Sequence, residues 1–380
     1  MPKVKFGDLV KEVKNKIDRS NNPYEFYVAG DHMDSEDLRI RRKGRFATDD
    51  VGPAFIREFK KGQILYGSRR TYLKKVAVAD FDGVTANTTF VLESKDNNVL
   101  LQSLLPFIML SDGFTKWSIS KSKGSTNPYI LFSDLASYEF ELPRIDEQRR
   151  LSELLWAGNA LKESYRRAII ASDDLVKSRF SEMFGDVDLA APKDDWIEIS
   201  KLATVYSGST PKTNVPAYWG GEYRWITPAE LDADTGYVFD SERKLTKEGV
   251  DSCSLRLFPK DTVLLTSRAP IGKLAIAGTT FYCNQGFENI VCGERLLPRY
   301  VYSLLLFNVT YLQSLGRGGT FKEISKRMVE NIRIPVPSLN LQQQFVKLLE
   351  QLDKSKFALT QALADLDKTI KGILNQALEA

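Results

Sequence analysis

The residues that most often carry catalysis are scarce in this chain. It has one histidine, His32, so neither a His-based catalytic triad nor a multi-histidine metal site can form. The three cysteines, Cys253, Cys283 and Cys292, are odd in number and lack CxxC spacing, which indicates free thiols in a reducing compartment. A Gly-x-x-x-x-Gly-Lys-Ser/Thr phosphate loop is also missing, so we expect no ATP chemistry. We predict no metal site, and a surface or packing role for His32.

Two tripeptides raise the alternative of methyl transfer. Asn22-Pro23-Tyr24 and Asn127-Pro128-Tyr129 resemble the Asn-Pro-Pro-Tyr segment that holds an adenine amino group. Both lack the second proline, no glycine-rich cofactor loop follows a strand upstream, and Asn-Pro commonly starts a turn. Binding of S-adenosylmethionine by the isolated chain would favour an enzyme. We predict that the chain has no active site.

Basic residues point instead to nucleic acid. The net charge is only +4, with 53 Lys and Arg against 49 Asp and Glu, but cations cluster at Arg39–Arg45, Arg69–Lys75 and Lys116–Lys123. A solvated face is the alternative for any one cluster. A Ser-Arg pair follows a predicted strand in each half of the chain, and a cation flanks a Gly-Ser-Thr or Gly-Gly-Thr loop further on. Arginine can bind guanine, and glycine loops let main-chain amides approach phosphate. The predicted DNA-binding residues are Ser68, Arg69, Arg70, Lys74, Lys75, Lys121, Lys123, Ser125, Thr210, Ser267, Arg268, Lys273, Arg317, Thr320 and Lys322.

The elements that position these residues occur twice. Gly62–Arg69 corresponds to Asp261–Arg268, each reading as a turn, a buried strand and a Ser-Arg exit. An apolar-proline boundary then precedes a long helix in each half, at Leu142-Pro143 and at Val336-Pro337. We predict two copies of one unit, each a globular domain followed by a long helix.

Both helices carry an apolar repeat with a spacing of about seven residues. Such a seam stays on one face only if helices supercoil around a partner, so we expect an antiparallel pair within the chain, each helix about 55 Å long. The predicted fold is α+β, with two globular α/β domains separated by this pair of coiled-coil helices in a pseudo-two-fold internal repeat. The alternatives are one compact α/β domain and a structural protein that binds other proteins only. The predicted seam residues, at the helix-pair or subunit interface, are Leu154, Leu161, Ile169, Leu175, Leu352, Leu359, Leu366 and Ile373.

The chain resembles the specificity subunits of type I restriction-modification enzymes over nearly its whole length. The second half carries the closest motifs, in the family's order, whereas the first half matches only around Gly62–Arg69 and Lys123-Gly124-Ser125. The five motifs are Ser207-Gly208-Ser209-Thr210-Pro211, Trp225-Ile226-Thr227-Pro228, Thr266–Gly272, Asn284-Gln285-Gly286-Phe287 and Gly319–Ile324.

The resemblance implies a non-catalytic subunit that reads a bipartite target in double-stranded DNA. It implies target-recognition domains at 1–144 and 185–337, and long helices at 145–184 and 338–380. The helices would bind two adenine-methyltransferase subunits, which restriction-translocase subunits then join. The chain would need no cofactor, because S-adenosylmethionine, ATP and Mg²⁺ belong to those partners. With no signal-peptide core and no apolar run of about 18–20 residues, we expect a cytoplasmic protein.

Overall fold

A computed structural model describes residues 3–231, 236–268, 270–317 and 322–378 of the chain. The chain divides into two compact units. The first comprises Met1–Arg166 and Thr360–Ala380, and the second comprises Arg167–Leu359. Across the described residues, none of the helices is long and apolar enough to cross a membrane.

Two four-stranded sheets and a two-stranded ribbon form the first unit. Its sheets have the strand orders β2-β9-β6-β7 and β4-β3-β8-β5, and its ribbon pairs β1 with β10. The strands are β1 (Lys3–Lys5), β2 (Val10–Glu12), β3 (Phe26–Val28), β4 (Gly44–Arg45), β5 (Phe55–Phe59), β6 (Ile64–Gly67), β7 (Val76–Val78), β8 (Gly83–Ala86), β9 (Thr89–Ser94) and β10 (Glu139–Glu141).

Helices contribute side chains to the apolar core of the first unit. Ser111 caps one of them, since its hydroxyl accepts a hydrogen bond from Phe114 N at 3.3 Å. The core also holds Phe6, Leu155 from the long helix, and Leu374 near the end of the chain, all at most 2% exposed. The helices are α1 (Phe6–Leu9), α2 (Leu105–Leu110), α3 (Asp112–Ser120), α4 (Phe132–Ala136) and α5 (Ile145–Phe184), of which residues up to Arg166 belong to this unit.

The second unit also has two sheets and a ribbon, but its sheets have five and three strands. Its sheets have the strand orders β12-β19-β16-β17-β14 and β15-β13-β18, and its ribbon pairs β11 with β20. The strands are β11 (Ile197–Glu198), β12 (Ala203–Ser207), β13 (Trp219–Ile226), β14 (Tyr237–Val238), β15 (Arg243–Leu245), β16 (Val263–Thr266), β17 (Leu274–Ala277), β18 (Tyr282–Cys283), β19 (Phe287–Cys292) and β20 (Arg333–Ile334). The helices are α6 (Lys247–Asp251), α7 (Pro298–Phe307), α8 (Val309–Ser314), α9 (Lys326–Glu330) and α10 (Leu339–Leu378), of which residues up to Leu359 belong to this unit.

The predicted internal repeat is confirmed, and the central strands of the two units correspond. β6 lies between β9 and β7, and β16 lies between β19 and β17, with antiparallel pairing throughout. The parallel pairs β3–β8 and β13–β18 also correspond. Even the hydrogen bonds at the strand exits repeat, because Ile130 N donates to Ser68 O at 2.9 Å and Ile324 N donates to Ser267 O at 3.0 Å.

The two long helices pack against each other in both units, and they run antiparallel as predicted. In the first unit Gly158 faces Ile370, so closely that a methyl group on Gly158 would lie 2.9 Å from Ile370 Cδ1. In the second unit Lys356 Nζ lies 2.5 Å from Asp173 Oδ1, and the Phe180 and Phe345 rings are 5.4 Å apart. From one contact to the next, the residue number increases on α5 and decreases on α10, so the two helices run in opposite directions.

The heptad residues of the two helices differ in exposure. Those predicted on α10, including Leu352 and Leu366, are half-buried, as is Ile169 on α5. Leu154, Leu161 and Leu175 of α5 are 54%, 43% and 40% exposed, so they do not belong to the buried face of the helix pair. Leu155 takes the buried place beside Leu154. A contact of the exposed leucines with another subunit stays a prediction.

A buried glutamine joins each long helix to its domain by the same three hydrogen bonds. Gln342, fully buried, accepts from Leu297 N at 2.8 Å and donates to Arg295 O at 3.0 Å and Pro337 O at 2.9 Å. Gln148 makes the equivalent bonds to Leu101 N, Val99 O and Pro143 O. A buried amide that satisfies three backbone groups fixes where the helix begins relative to the sheet.

We predict that Gln342→Ala destabilises the chain. The substitution leaves one backbone N–H and two carbonyl oxygens without their partner, which costs about 2 to 4 kcal/mol in the free energy of unfolding. Gln343→Ala, at the exposed neighbouring position, is the matched control. Chemical denaturation of the full-length chain measures both variants, and equal unfolding midpoints for the two would contradict the proposed anchoring role of Gln342.

Candidate nucleic-acid interface

The exit of β6 in the first domain is a tightly bonded turn that presents two arginines. Ser68 is 5% exposed, and its N and Oγ both donate to Thr88 O, at 3.1 and 2.6 Å. Arg70 N donates to Pro128 O at 2.6 Å. The main chain is therefore held in place while the side chains of Arg69 and Arg70 are exposed. Ser68 shapes the turn from inside and does not face solvent.

The next residues adopt a strained backbone conformation. Arg70 and Lys74 flank the single helical turn Thr71–Leu73, and both have left-handed backbones, with φ of 50° and 47°. This region costs a residue with a Cβ on the order of 1 kcal/mol, and such strain often accompanies function. Thr71 Oγ1 lies 3.0 Å from Ser122 Oγ, which ties the turn to the Lys123 loop.

Two of the predicted DNA contacts in this turn point inward. Lys74 Nζ lies 2.9 Å from Glu36 Oε1 and 3.7 Å from Asp112 Oδ1. Lys75 Nζ donates to Gly30 O at 2.5 Å. Both ammonium groups thus stabilise the domain, since each already has partners within it. They would have to exchange those partners to reach a phosphate.

The neighbouring loop carries the other predicted residues of the first domain. Lys121 is exposed, with its Nζ 4.7 Å from the centre of the Trp117 ring. Lys123 forms a backbone bridge to Tyr129, and its Nζ lies 3.0 Å from Asp134 Oδ2. Ser125 is exposed beside it. The structure therefore brings Lys121, Lys123 and Ser125 to the strand exit that holds Arg69.

The corresponding exit of β16 in the second domain repeats the backbone arrangement, since Ser267 N donates to Gly286 O at 2.8 Å, but not the hydroxyl bond of the first. Ser267 is fully buried, and its Oγ has no hydrogen-bond partner among the described residues. Arg268 is partly exposed, with Nη1 4.0 Å from Glu323 Oε1. Lys273 Nζ is 3.5 Å from Pro228 O. Of these residues, Arg268 offers the clearest contact for a ligand, and Ser267 is directed inward.

Further cations surround this exit. Arg317 and Lys322 are exposed, and Arg317 pairs with Glu323 through two backbone hydrogen bonds of 3.1 and 3.0 Å. Thr210 is partly buried and hydrogen-bonds Gln285. Thr320 and the adjoining Gly-Gly segment lie outside the described residues.

The basic cluster at Arg39–Arg45 is mostly occupied by internal partners. Arg41 hydrogen-bonds Glu163 on α5 and donates from Nε to Asp37 Oδ2 at 2.8 Å. Hydrogen bonding to Arg41 lowers the pKa of the Glu163 carboxyl to about 2. Arg45 Nη1 lies 3.0 Å from Glu25 Oε1. The cluster therefore connects the first domain to its long helix. The basic residues alone do not show, in the sequence, that they have acidic partners elsewhere in the chain.

Sequence reasoning missed three charged residues beside the second exit. Lys326 and Arg327 are exposed at the start of α9, and Glu288 of β19 is buried near them. A residue-by-residue comparison of the two halves offers the signal, because the first domain has Phe132, Ser133 and Phe90 at these places. Their charges make the second exit more polar than the first.

Metal and thiol chemistry find no support within the described ranges. Those residues contain no cluster of three His, Cys, Asp or Glu side chains that could hold a metal ion. Burial raises the pKa of the Cys283 and Cys292 thiols to about 12, so both thiols stay protonated and unreactive near neutral pH. The cationic groups that both strand exits present to solvent are arginines and lysines, the side chains suited to phosphate.

Comparison with known proteins gives a consistent result along the chain. The family model described as "Type I restriction modification DNA specificity domain" matches residues 4–157 and again 194–366. The type I restriction enzyme MjaIX specificity subunit of Methanocaldococcus jannaschii is 40% identical over 185 residues, which is 47% of this chain and 43% of that protein. The EcoR124I/EcoR124II specificity subunit of Escherichia coli is 26% identical over 176 residues, 44% of this chain and 43% of that protein. Each match spans less than half of the curated relative.

Solved structures share the fold over almost the full length. One chain, from work described as the structural basis of complex assembly and conformational transition of the type I R-M system, has a TM-score of 0.63 and 19% identity, covering 99% of this chain and 97% of that one. The S subunit of the type I restriction-modification system from M. genitalium has a TM-score of 0.57 and 15% identity, covering 99% and 95%. At such identities the likeness is one of fold.

Proposed function

Because this chain belongs to the family of type I restriction-modification DNA specificity domains and contains two copies of that domain, we propose that it reads the two halves of a split DNA sequence. The observation that supports this most is the repeated strand exit, where the same backbone presents Arg69 in one domain and Arg268 in the other. Two similar readers on one chain suit a bipartite target, because half-site spacing follows protein geometry.

The arginines at the strand exits, Arg69 and Arg268, would contact bases directly. The cations around them would contact phosphates and supply most of the binding strength. A guanidinium held on a fixed turn can bind guanine O6 and N7 together, which is the commonest specific contact in the major groove. Lys121 in the first domain, with Arg317 and Lys322 in the second, is exposed and suited to phosphate. Different side chains at the two exits would then read different bases.

We further propose that catalysis belongs to partner subunits. Two adenine-methyltransferase subunits that use S-adenosylmethionine, and restriction-translocase subunits that use ATP and Mg²⁺, would assemble on this chain in the cytoplasm. The long helices have apolar residues available for such partners, since Ile170 and Phe357 are 61% and 67% exposed. Large apolar side chains exposed on a helix are typical of a protein–protein contact.

We predict that the double variant Arg317→Gln/Lys322→Gln weakens DNA binding by the assembled complex and makes it less sensitive to salt. Loss of two phosphate contacts should reduce the slope of log K against log salt concentration by about 2. Lys247→Gln, which removes an exposed cation already paired with Asp251 at 2.7 Å, serves as the control. An unchanged slope in the double variant would count against this loop as DNA-binding surface and favour a protein that binds only other proteins.

We predict that Ile170→Asp/Phe357→Asp leaves the chain folded but prevents binding of methyltransferase subunits. Both side chains are already exposed, so a charge costs little in the free chain, whereas it would be buried in an interface. Gln351→Asp adds a charge at an exposed polar position of α10, the helix that carries Phe357, and this variant should assemble normally. Size-exclusion chromatography of co-expressed subunits measures assembly, and a complete complex with the double variant would rule out these two positions as the methyltransferase contact.

A further inference from the structure

A cleft of about 810 Å³ opens beside the Ser-Arg exit of the second domain. The cleft combines one buried carboxylate with several exposed cations. One of its lining residues, Glu323, lies beside the Ser-Arg exit, with its Oε1 4.0 Å from Arg268 Nη1. We call this feature the Glu288 cleft. Its lining includes Ser207, Glu288, Arg317, Glu323, Lys326 and Arg327.

The carboxylate of this cleft is buried but not saturated with hydrogen bonds. Glu288 is 5% exposed, and its two oxygens accept from the hydroxyl of Ser207 at 3.0 and 2.8 Å. Ser207 itself is exposed at the end of β12. A carboxylate offers about four acceptor positions, and Ser207 is its one hydrogen-bond donor among the described residues. The Glu288 carboxylate can therefore accept further hydrogen bonds, and it lies next to the exposed Ser207.

The first domain shows that the fold itself does not need this carboxylate. The pairs Ile64–Leu92 and Val263–Ile290 hold the same place in the two sheets, which makes Phe90 the counterpart of Glu288. Phe90 packs edge-on against Phe132, with ring centres 6.1 Å apart. Phe132 corresponds in turn to Lys326, since each lies two residues after the isoleucine that bonds the Ser-Arg exit.

An apolar pair in one copy is thus replaced by a carboxylate and an ammonium group in the other. Burying a carboxylate is costly unless its charge is compensated. Lys326 Nζ lies 3.5 Å from Glu330 Oε1, and the hydrogen-bond donor to Glu288 is the Ser207 hydroxyl. An apolar side chain suffices at this place in the first copy, so the buried carboxylate of the second copy points to a ligand.

Building on the proposed function, we propose that the Glu288 cleft reads one base of the second half-site through its exocyclic amino group. The Glu288 carboxylate accepts a hydrogen bond from that amino group, and Arg317, Lys326 and Arg327 hold the neighbouring phosphates. Cytosine is the expected base, since its N4 amino group is the one polar group that it presents in the major groove and a carboxylate is its matching acceptor. The N6 amino group of adenine is the alternative donor.

This contact should depend on pH. Burial is the main reason why the pKa of Glu288 is raised to about 7. The charge of Lys326 lowers this pKa, and the charges of Glu323 and Glu330 raise it. Arg317 and Arg327 line the same cleft. A protonated carboxyl group is a poorer hydrogen-bond acceptor than a carboxylate. The amino group of the base therefore binds preferentially to the ionised form of Glu288. Binding then releases a proton, and affinity rises as pH increases through 7. For a single group of this pKa the gain from pH 6 to pH 8 is about tenfold.

The test measures DNA binding by the assembled complex at pH 6 and pH 8, at constant salt, on the cognate duplex. The wild-type complex should bind about tenfold more tightly at pH 8. Glu288→Gln keeps the shape of the side chain and an acceptor oxygen but cannot ionise, so its affinity should change little with pH. Glu294→Gln removes an exposed carboxylate that lies outside the cleft lining, and this control should keep the wild-type response to pH.

A panel of duplexes with each base substituted in turn identifies the base that is read. Glu288→Ala should lose discrimination at one position of one half-site by tenfold or more, with an unchanged salt slope. A cytosine at that position supports the stated base, and an adenine supports the alternative donor. If Glu288→Gln keeps the wild-type pH response and the base preference of Glu288→Ala is unchanged, the inference fails although the proposed function stands. A wild-type complex without any base preference would instead overturn the proposed function.

Discussion

A long amphipathic helix cannot bury its apolar side alone, and the fold of this chain follows from that constraint. Each of the two 40-residue helices finds its partner in the other, antiparallel, in both units. Each helix is joined to the preceding domain by a buried glutamine, Gln148 or Gln342, which fixes its starting point. Because the glutamine bonds are the same in both copies, each recognition domain is set on its helix in the same way.

Duplication gives the chain two similar surfaces, and substitution within the copies makes them different. The strand exits keep their hydrogen bonds, so the main chain of both Ser-Arg turns is held in the same manner. Around this frame the side chains diverge, most clearly where Phe90 and Phe132 in one copy are replaced by Glu288 and Lys326 in the other. An arrangement of this kind suits a protein that must read two different short sequences.

Much of this architecture could be predicted from the sequence, because repeats and seven-residue spacing are local patterns. The internal repeat and the antiparallel helices were predicted from them and are confirmed. Side-chain partners were harder, since Lys74 pairs with Glu36 and Arg41 with Glu163 across long stretches of chain. Leu154 was predicted on the seam of the helix pair, whereas packing buries its neighbour Leu155 and leaves Leu154 exposed. The predicted DNA contacts at Arg69 and Arg268 stay predictions, although both turns are held firmly in place.

We propose that the two copies of the recognition domain read two separate halves of one DNA site. Mapping methylated adenines in DNA from cells that carry the complete system tests this most directly, with cells lacking only this chain as the control. We predict a split motif, two short specified segments separated by a spacer of fixed length without sequence preference, which disappears in the control. A continuous, unsplit motif would show that the two domains do not read separate half-sites.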